Sequence, residues 1–323
     1  MKPSLYLLAL VLITTGCQAA SASPPPPAAS TVASASPSAA VASATPGASA
    51  TPTAAIATAT PAVAPSPSRV ESDTFFSAAL GQTMPYFIYL PSGYDSSPTT
   101  RYPVLYMLHG AGGSNTEWEG YGLFGTADQL IGSGAIAPLI IVLPQGDQSF
   151  WMDHANGGPK WGTYTAHDVV GEIDGHFRTL ADRAHRAIGG LSMGADGAMQ
   201  LAMNNPTEFS VVGAHSPTLR PYAQWPSFFG DQAYADAHDP AYLFRTMPDV
   251  GRSLVLEADT GTQDTLWRPS AEAFHQQLLG EGIPHQWHDQ WVGGHDGSYW
   301  TAHTPDYLRF YDGGFKAQTT PAS

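Results

Sequence analysis

Four short stretches hold the residue types from which acyl chemistry is built. They are "LHGAGGS" (108–114), "GGLSMG" with Ser192, "LEADTGTQD" with Asp259 and Asp264, and "GGHDGSYW" with His295. A serine hydroxyl is a poor nucleophile until a base lies within hydrogen-bond reach. Histidine takes and returns a proton near neutral pH without large tuning. An aspartate can fix the imidazole tautomer and stabilise the imidazolium, and backbone amides can hold the oxyanion. The amide of Met193, after the serine, and that of Ala111, after His109-Gly110, are the candidate donors. Gly-x-Ser-x-Gly alone also spells a plain glycine-rich turn, so the elements around it must decide.

Apolar runs alternate with helical patterns along the chain. "TFFSAAL" and "MPYFIYLP" (74–80 and 84–91) predict an opening hairpin across Gly81. The runs at 102–110 and 136–146 are almost continuously apolar, as strands buried on both faces are. Further strands are predicted at 185–190, 210–214, 252–258 and 286–292, and helices at 165–180, 193–204, 265–281 and 298–311. Short buried strands alternating with helices predict an α/β fold, a mostly parallel central sheet with helices on both faces. Ligands of such sheets bind beyond the carboxyl ends of the strands. All four stretches fall there, in the order nucleophile, acid, histidine, which is that of the α/β-hydrolase fold.

"HRAIGGLSMGADGA", "LHGAGGSNTEWEG", "GTQD" and "GGHDGSYW" resemble the esterase D-type α/β-hydrolases, and within them the feruloyl and acetyl-xylan esterases of carbohydrate esterase family one. The resemblance covers nearly all of 70–312. It implies Ser192 as nucleophile, Asp264 as acid and His295 as base. In one place the chain departs from the pattern: Ala195 and Asp196 follow Gly194, where the family has a second glycine. A methyl there sets the helix start outward but removes no reacting group.

Other residues have blander readings. Asp259 is the rival acid, expected instead to accept amides of its loop, and Asp296 is a weaker rival. "GYGLFG" (120–125) matches a dinucleotide-binding spelling but follows polar residues rather than a strand. His285 and His288, three apart on a strand, face opposite ways; no metal or cofactor is expected. His109 and His185 read as structural. Trp118, Trp151 and Trp161, in loops after strands, and His215, at a strand end, are candidate substrate-lining residues, with simple packing as the competing reading. Trp267 and Trp300 start helices and are expected to pack.

Residues 1–17 read as a lipoprotein-type signal peptide: Lys2, a short apolar core, and "TTGC" ending at Cys17, the expected site of acylation. Thr14 stands where leucine is usual. Cys17 is the only cysteine of the 323 residues, so the fold must rest on its core rather than on disulfides. Residues 18–68, Ala/Ser/Thr/Pro-rich and uncharged, are expected to be a disordered linker. As a flexible coil they would reach about 40 Å. The catalytic domain is assigned to 69–323. All 27 acidic residues lie there, and the chain's net charge of −14 argues against nucleic acid or an anionic polymer as partner.

The expectation is an exported serine esterase, lipid-tethered at Cys17 or else secreted, acting on feruloyl or acetyl esters of plant polysaccharides. A mycolyltransferase-type acyltransferase would share fold and triad. A carbohydrate-binding protein on a retained hydrolase fold would have no need of all three triad residues.

Overall fold

The computed structural model describes residues 65–319. The signal segment, Cys17 and the linker up to residue 64 lie outside the described residues. The last four residues assigned to the linker belong to the domain instead: the Ser66 carbonyl accepts the Gly93 amide at 2.8 Å and its amide donates to Ser96 Oγ at 3.1 Å. Among the described residues, eight strands form one sheet: β1 (Arg69–Ser77), β2 (Gln82–Leu90), β3 (Val104–Leu108), β4 (Ile140–Pro144), β5 (Arg186–Leu191), β6 (Val211–His215), β7 (Val255–Asp259) and β8 (Gln286–His288). Their order is β1-β2-β4-β3-β5-β6-β7-β8. β1 and β2 form an antiparallel hairpin, and β2 is antiparallel to β4. The strands from β4 to β8 run parallel. Gly81 turns the hairpin at φ 66°, a conformation that glycine adopts without a Cβ penalty.

The central strands β3, β4, β5 and β6 are buried at every position. Helices cover both faces. Leu123 and Leu130 of α1 (Leu123–Gly132) share one core with Tyr307, Leu308 and Phe315 of the C-terminal helix. On the other face lie Val170 and Ile173 of α2 (Val170–His176), the apolar side of α3 (Met193–Asn204), and Phe274 and Leu278 of α4 (Arg268–Gly280). Full burial of such a side chain contributes about 1.5–3 kcal/mol. The C-terminal helix, α5 (Gly297–Thr319), crosses the sheet over Gly189 and Gly213, where a Cβ would collide with the Tyr311 hydroxyl. The glycines of β5 and β6 thus make room for a tyrosine.

Register brings the site together. Leu191 pairs with His215 and His215 with Asp259, so three strands end in one row. The predicted sheet and the helix at 193–204 agree with the structure. β8 is shorter than expected, and α5 continues to Thr319 because Tyr311 and Phe315 extend its apolar face. α1 was not predicted; it begins after Gly122, at φ 80°. The Gly-x-Gly spelling at 120–125 follows no strand and belongs to this helix start.

Candidate active site

Ser192 occupies the turn between β5 and α3 at φ 53°, ψ −120°. A non-glycine residue in the left-handed region costs of order 1–3 kcal/mol and persists only where its surroundings enforce it. Its flanking glycines supply that enforcement. A Cβ on Gly194 would overlap the carbonyl oxygens of Leu108 and His109, so α3 packs directly on the end of β3. A Cβ on Gly190 would stand 2.5 Å from the Gly194 carbonyl. The Ser192 amide is anchored to the His215 carbonyl at 3.0 Å.

His295 lies over the serine. Its Nε2 is 2.9 Å from Ser192 Oγ, and its Nδ1 is 2.9 Å from Asp264 Oδ2. A carboxylate on Nδ1 keeps the proton there and leaves Nε2 free to accept the hydroxyl proton. Asp264 is itself fixed, because Oδ1 accepts the amides of Trp267 at 2.9 Å and Leu266 at 3.2 Å. Burial pushes the Asp264 carboxyl up, but the His295 hydrogen bond and the Trp267 and Leu266 amides outweigh it and hold the group below the ordinary carboxylate range. Asp264 therefore stays ionised at neutral pH.

The "GAGG" loop lies beside the serine, where a Cβ on Gly110 would be 3.4 Å from Ser192 Cβ. Ala111 is exposed there. Met193 opens α3, and a first-turn amide has no partner within its own helix. The Glu117 carboxylate holds the loop by accepting the Gly110 amide at 2.7 Å.

The four candidate substrate-lining residues do not reach this mouth. Trp118 is buried and donates its indole N–H to the Leu108 carbonyl at 2.9 Å. Trp151, also buried, bonds the His109 carbonyl at 3.2 Å and wedges against Gly197 of α3. Trp161 packs on Tyr164. His215 is fully enclosed, with Nδ1 2.7 Å from Asp259 Oδ2 and Nε2 2.9 Å from the Tyr311 hydroxyl. Packing accounts for all four. Trp267, expected only to pack, instead stands half-buried with its ring 6.4 Å from that of His295. Trp300 packs as expected, edge-on under His295 at 5.2 Å.

The roles foreseen for the two aspartates are partly exchanged. Asp264 takes the loop amides expected of Asp259. Asp259 is buried among side chains instead, accepting from Tyr299 at 2.8 Å as well as pairing with His215. Asp296 caps the start of α5 through Ser298 and Tyr299. His109 bonds the Gly110 carbonyl and the Gly146 amide, and burial lowers its pKa, in keeping with a structural role. His285 meets His275 and His288 meets Glu257, so the two do not converge. His215, Glu257 and Asp259 form a buried group that the sequence did not signal, with ligand-type atoms within 4.8 Å of one another. Both ring nitrogens of His215 already have protein partners there.

A serine on a strained strand-to-helix turn, with an acid and a histidine beyond later strands of a parallel sheet, defines an α/β-hydrolase. The chain belongs to the esterase family described as "Putative esterase", whose model matches residues 77–311. It is 28% identical over 284 residues to Esterase Rv1288 of Mycobacterium tuberculosis, covering 77% of this chain and 59% of that protein. The chain thus spans less than two thirds of that relative's length. It is 32% identical over 151 residues to an endo-1,4-beta-xylanase/feruloyl esterase of Xylanibacter ruminicola, covering 45% of this chain and 21% of the other. Among solved structures it resembles a ferulic acid esterase with a TM-score of 0.70 at 27% identity, covering 77% of this chain and 99% of that one.

Two residues near the site escaped sequence reasoning. Glu117 opens a one-turn helix, Glu117–Gly120, within the "LHGAGGSNTEWEG" stretch, but no sequence spacing ties its carboxylate to the Gly110 amide. Arg220 follows β6 in a segment without periodicity, and nothing in the sequence ties it to Trp267.

Proposed function

We propose that this chain is an exported serine esterase that hydrolyses carboxylic esters through Ser192, His295 and Asp264. The observation that carries the reading is the continuous hydrogen-bonded line from Ser192 Oγ through the imidazole to a carboxylate, 2.9 Å at each step. Ser192 Oγ attacks the ester carbonyl carbon as its proton passes to His295 Nε2. The amides of Met193 and Ala111 hold the oxyanion. Collapse breaks the bond to the alkoxy oxygen, which leaves as the alcohol with the proton from Nε2. Water then gives a proton to the same nitrogen and attacks the acyl carbonyl; collapse breaks the bond to Ser192 Oγ, which takes the proton back from Nε2, and the acid leaves.

Feruloyl or acetyl esters of plant polysaccharides are the proposed substrates, supported by the ferulic acid esterase and the xylanase/feruloyl esterase among the similar proteins. Acylation of Cys17, ahead of the Ala/Ser/Thr/Pro-rich stretch that begins at residue 18, would hold the domain at a surface from which it reaches a polymer. Ser192→Ala should keep the fold and lose both fluorophosphonate labelling and ester turnover. Labelling and hydrolysis at the parental rate in that variant would overturn the reading. Hydrolysis of feruloyl, acetyl and short-chain aryl esters measured side by side, with a sugar acceptor present, identifies the acyl group. It also separates hydrolysis from acyl transfer.

A further inference from the structure

Arg220 stands one aromatic ring away from the His295 imidazole. Its guanidinium carbon lies 4.7 Å from the centre of the Trp267 ring and 5.0 Å from that of Phe150. The Trp267 ring is in turn the one beside His295. The three residues come from three different loops, after β4, β6 and β7, all at the edge of the sheet that carries Ser192. Cation–π contact stabilises a guanidinium between ring faces while leaving its edges for hydrogen bonding.

One edge is already committed. Nε donates to the Thr218 carbonyl at 3.1 Å and Nη2 to the Thr218 hydroxyl at 2.7 Å. That hydroxyl donates to Asp196 Oδ2 at 2.7 Å, and the Thr218 amide donates to Asp196 Oδ1 at 2.9 Å. The arginine is thereby tied to the first turn of the helix that follows the nucleophile. The end of the fork, Nη1 and the second hydrogen of Nη2, has no acceptor among the described residues, and no carboxylate there lies within ion-pair distance of it. An oriented, aromatic-lined guanidinium with a free end matches the two oxygens of a carboxylate.

We infer that Arg220 is a specificity-determining residue that binds a carboxylate carried by the ester itself, in addition to the ester group being cleaved. The substrate class is then an ester with one isolated carboxylate, either on the acyl group, in place of the feruloyl or acetyl group proposed above, or on the alcohol, as a single uronate residue of an otherwise neutral polymer supplies. Asp196 directs both carboxylate oxygens to Thr218, so it orients the arginine without taking up the free end. A purely structural role for Arg220, holding the loop that also receives the Trp225 indole N–H on the Arg220 carbonyl, would affect all esters alike. This inference rests on the esterase reading above.

The test compares kcat/KM within two matched pairs, on the parental protein, Arg220→Gln and Arg220→Lys. For the acyl side the pair is p-nitrophenyl hemiglutarate and p-nitrophenyl valerate. For the alcohol side it is 3-carboxyphenyl butyrate and phenyl butyrate. In one pair, Arg220→Gln should lower kcat/KM for the acidic member about tenfold, chiefly through KM, the scale of one charge-assisted hydrogen bond. Its neutral partner should change less than about twofold. Arg220→Lys, which keeps the charge and loses the fork, should recover part of the difference. The affected pair assigns the carboxylate to the acyl or the alcohol side. On the parental protein, raising NaCl from about 0.05 to about 1 M should lower the acidic-to-neutral ratio, a readout that needs no folded variant. Ratios unchanged by substitution and by salt in both pairs would overturn the role of Arg220. Loss of fluorophosphonate labelling and of turnover on every ester by the parental protein would instead overturn the esterase reading.

Discussion

The Glu117 carboxylate accepts the Gly110 amide at 2.7 Å, one residue before the amide proposed to hold the oxyanion. Its other oxygen accepts the Tyr121 hydroxyl at 3.1 Å, so the carboxylate is fixed at both ends. Glu117→Ala should release the loop and misplace the Ala111 amide. Loss of one oxyanion donor costs about 10²–10³ in turnover, and a displaced donor should cost about tenfold. Glu117→Gln keeps an acceptor for the Gly110 amide and should recover most of the activity. Steady-state kinetics on a small aryl ester checks this: kcat should fall in the alanine variant while KM stays within about twofold. An alanine variant that is folded and has the parental kcat would show that Glu117 does not position the loop.

The two aspartates give opposite phenotypes. Asp264→Asn can keep its oxygen on the Trp267 amide but presents an N–H to His295 Nδ1, which moves the ring proton to Nε2, where the serine proton must go. The equivalent change in the Ser-His-Asp template costs about 10⁴ in turnover. Asp259→Asn breaks a fully buried pair with His215 and weakens the bond from Tyr299. Its expected effect is a stability loss of about 2–3 kcal/mol, with turnover of the folded fraction within a few-fold of parental. Denaturation midpoints and turnover of both variants decide the matter. A large turnover loss confined to Asp259→Asn would reverse the assignment.

Much of this was legible in the sequence, for identifiable reasons. Strands such as Val104–Leu108 and Ile140–Pro144 are buried on both faces, and continuous apolar runs report that directly. Ser192 was legible because only a turn that excludes side chains needs Gly190 and Gly194 where they stand. Trp118 and Trp151 were misread because position after a strand does not say whether an indole turns outward or folds back beneath the loop. The partner of Asp259 was invisible for another reason: His215 lies 44 residues away and meets it only through the parallel register of β6 and β7. Arg220 had no signal at all, since its ring partners, Phe150 and Trp267, come from two other loops.

Asp196 makes the stability of the domain depend on pH. Burial raises its pKa from 3.8 to about 6, against the opposing pull of Thr218 and Arg220. Between those values the folded chain holds a proton that the unfolded chain has released. The contribution of this group is therefore complete below about pH 4 and is lost as the pH rises through 6. Two pKa units correspond to roughly 3 kcal/mol, and the partial exposure of Asp196 reduces the expected effect to about 1–2 kcal/mol. Asp196→Asn should flatten the stability profile by that amount between pH 4 and pH 6, as the difference between parental and variant denaturation curves. Parallel profiles for the two proteins would contradict this.

Gly194 and Ala195 are adjacent in the first turn of α3, yet they should tolerate change very differently. A Cβ on Gly194 would overlap the backbone oxygens of Leu108 and His109, which belong to a central strand end and cannot swing aside as a side chain would. Ala195 already buries its methyl in the core. Gly194→Ala must therefore push α3 away from β3, taking the Met193 amide and the backbone of Ser192 with it. The expected cost is about 3 kcal/mol, at the upper end for overpacking, together with a large loss of fluorophosphonate labelling. Ala195→Gly should cost about 1–2 kcal/mol, helix propensity plus one buried methyl, and should label normally. Chemical denaturation and labelling rates measured on both variants test the contrast. A Gly194→Ala protein as stable and as reactive as the parent would mean that α3 does not rest on the end of β3, and that the strained turn at Ser192 is held by something else.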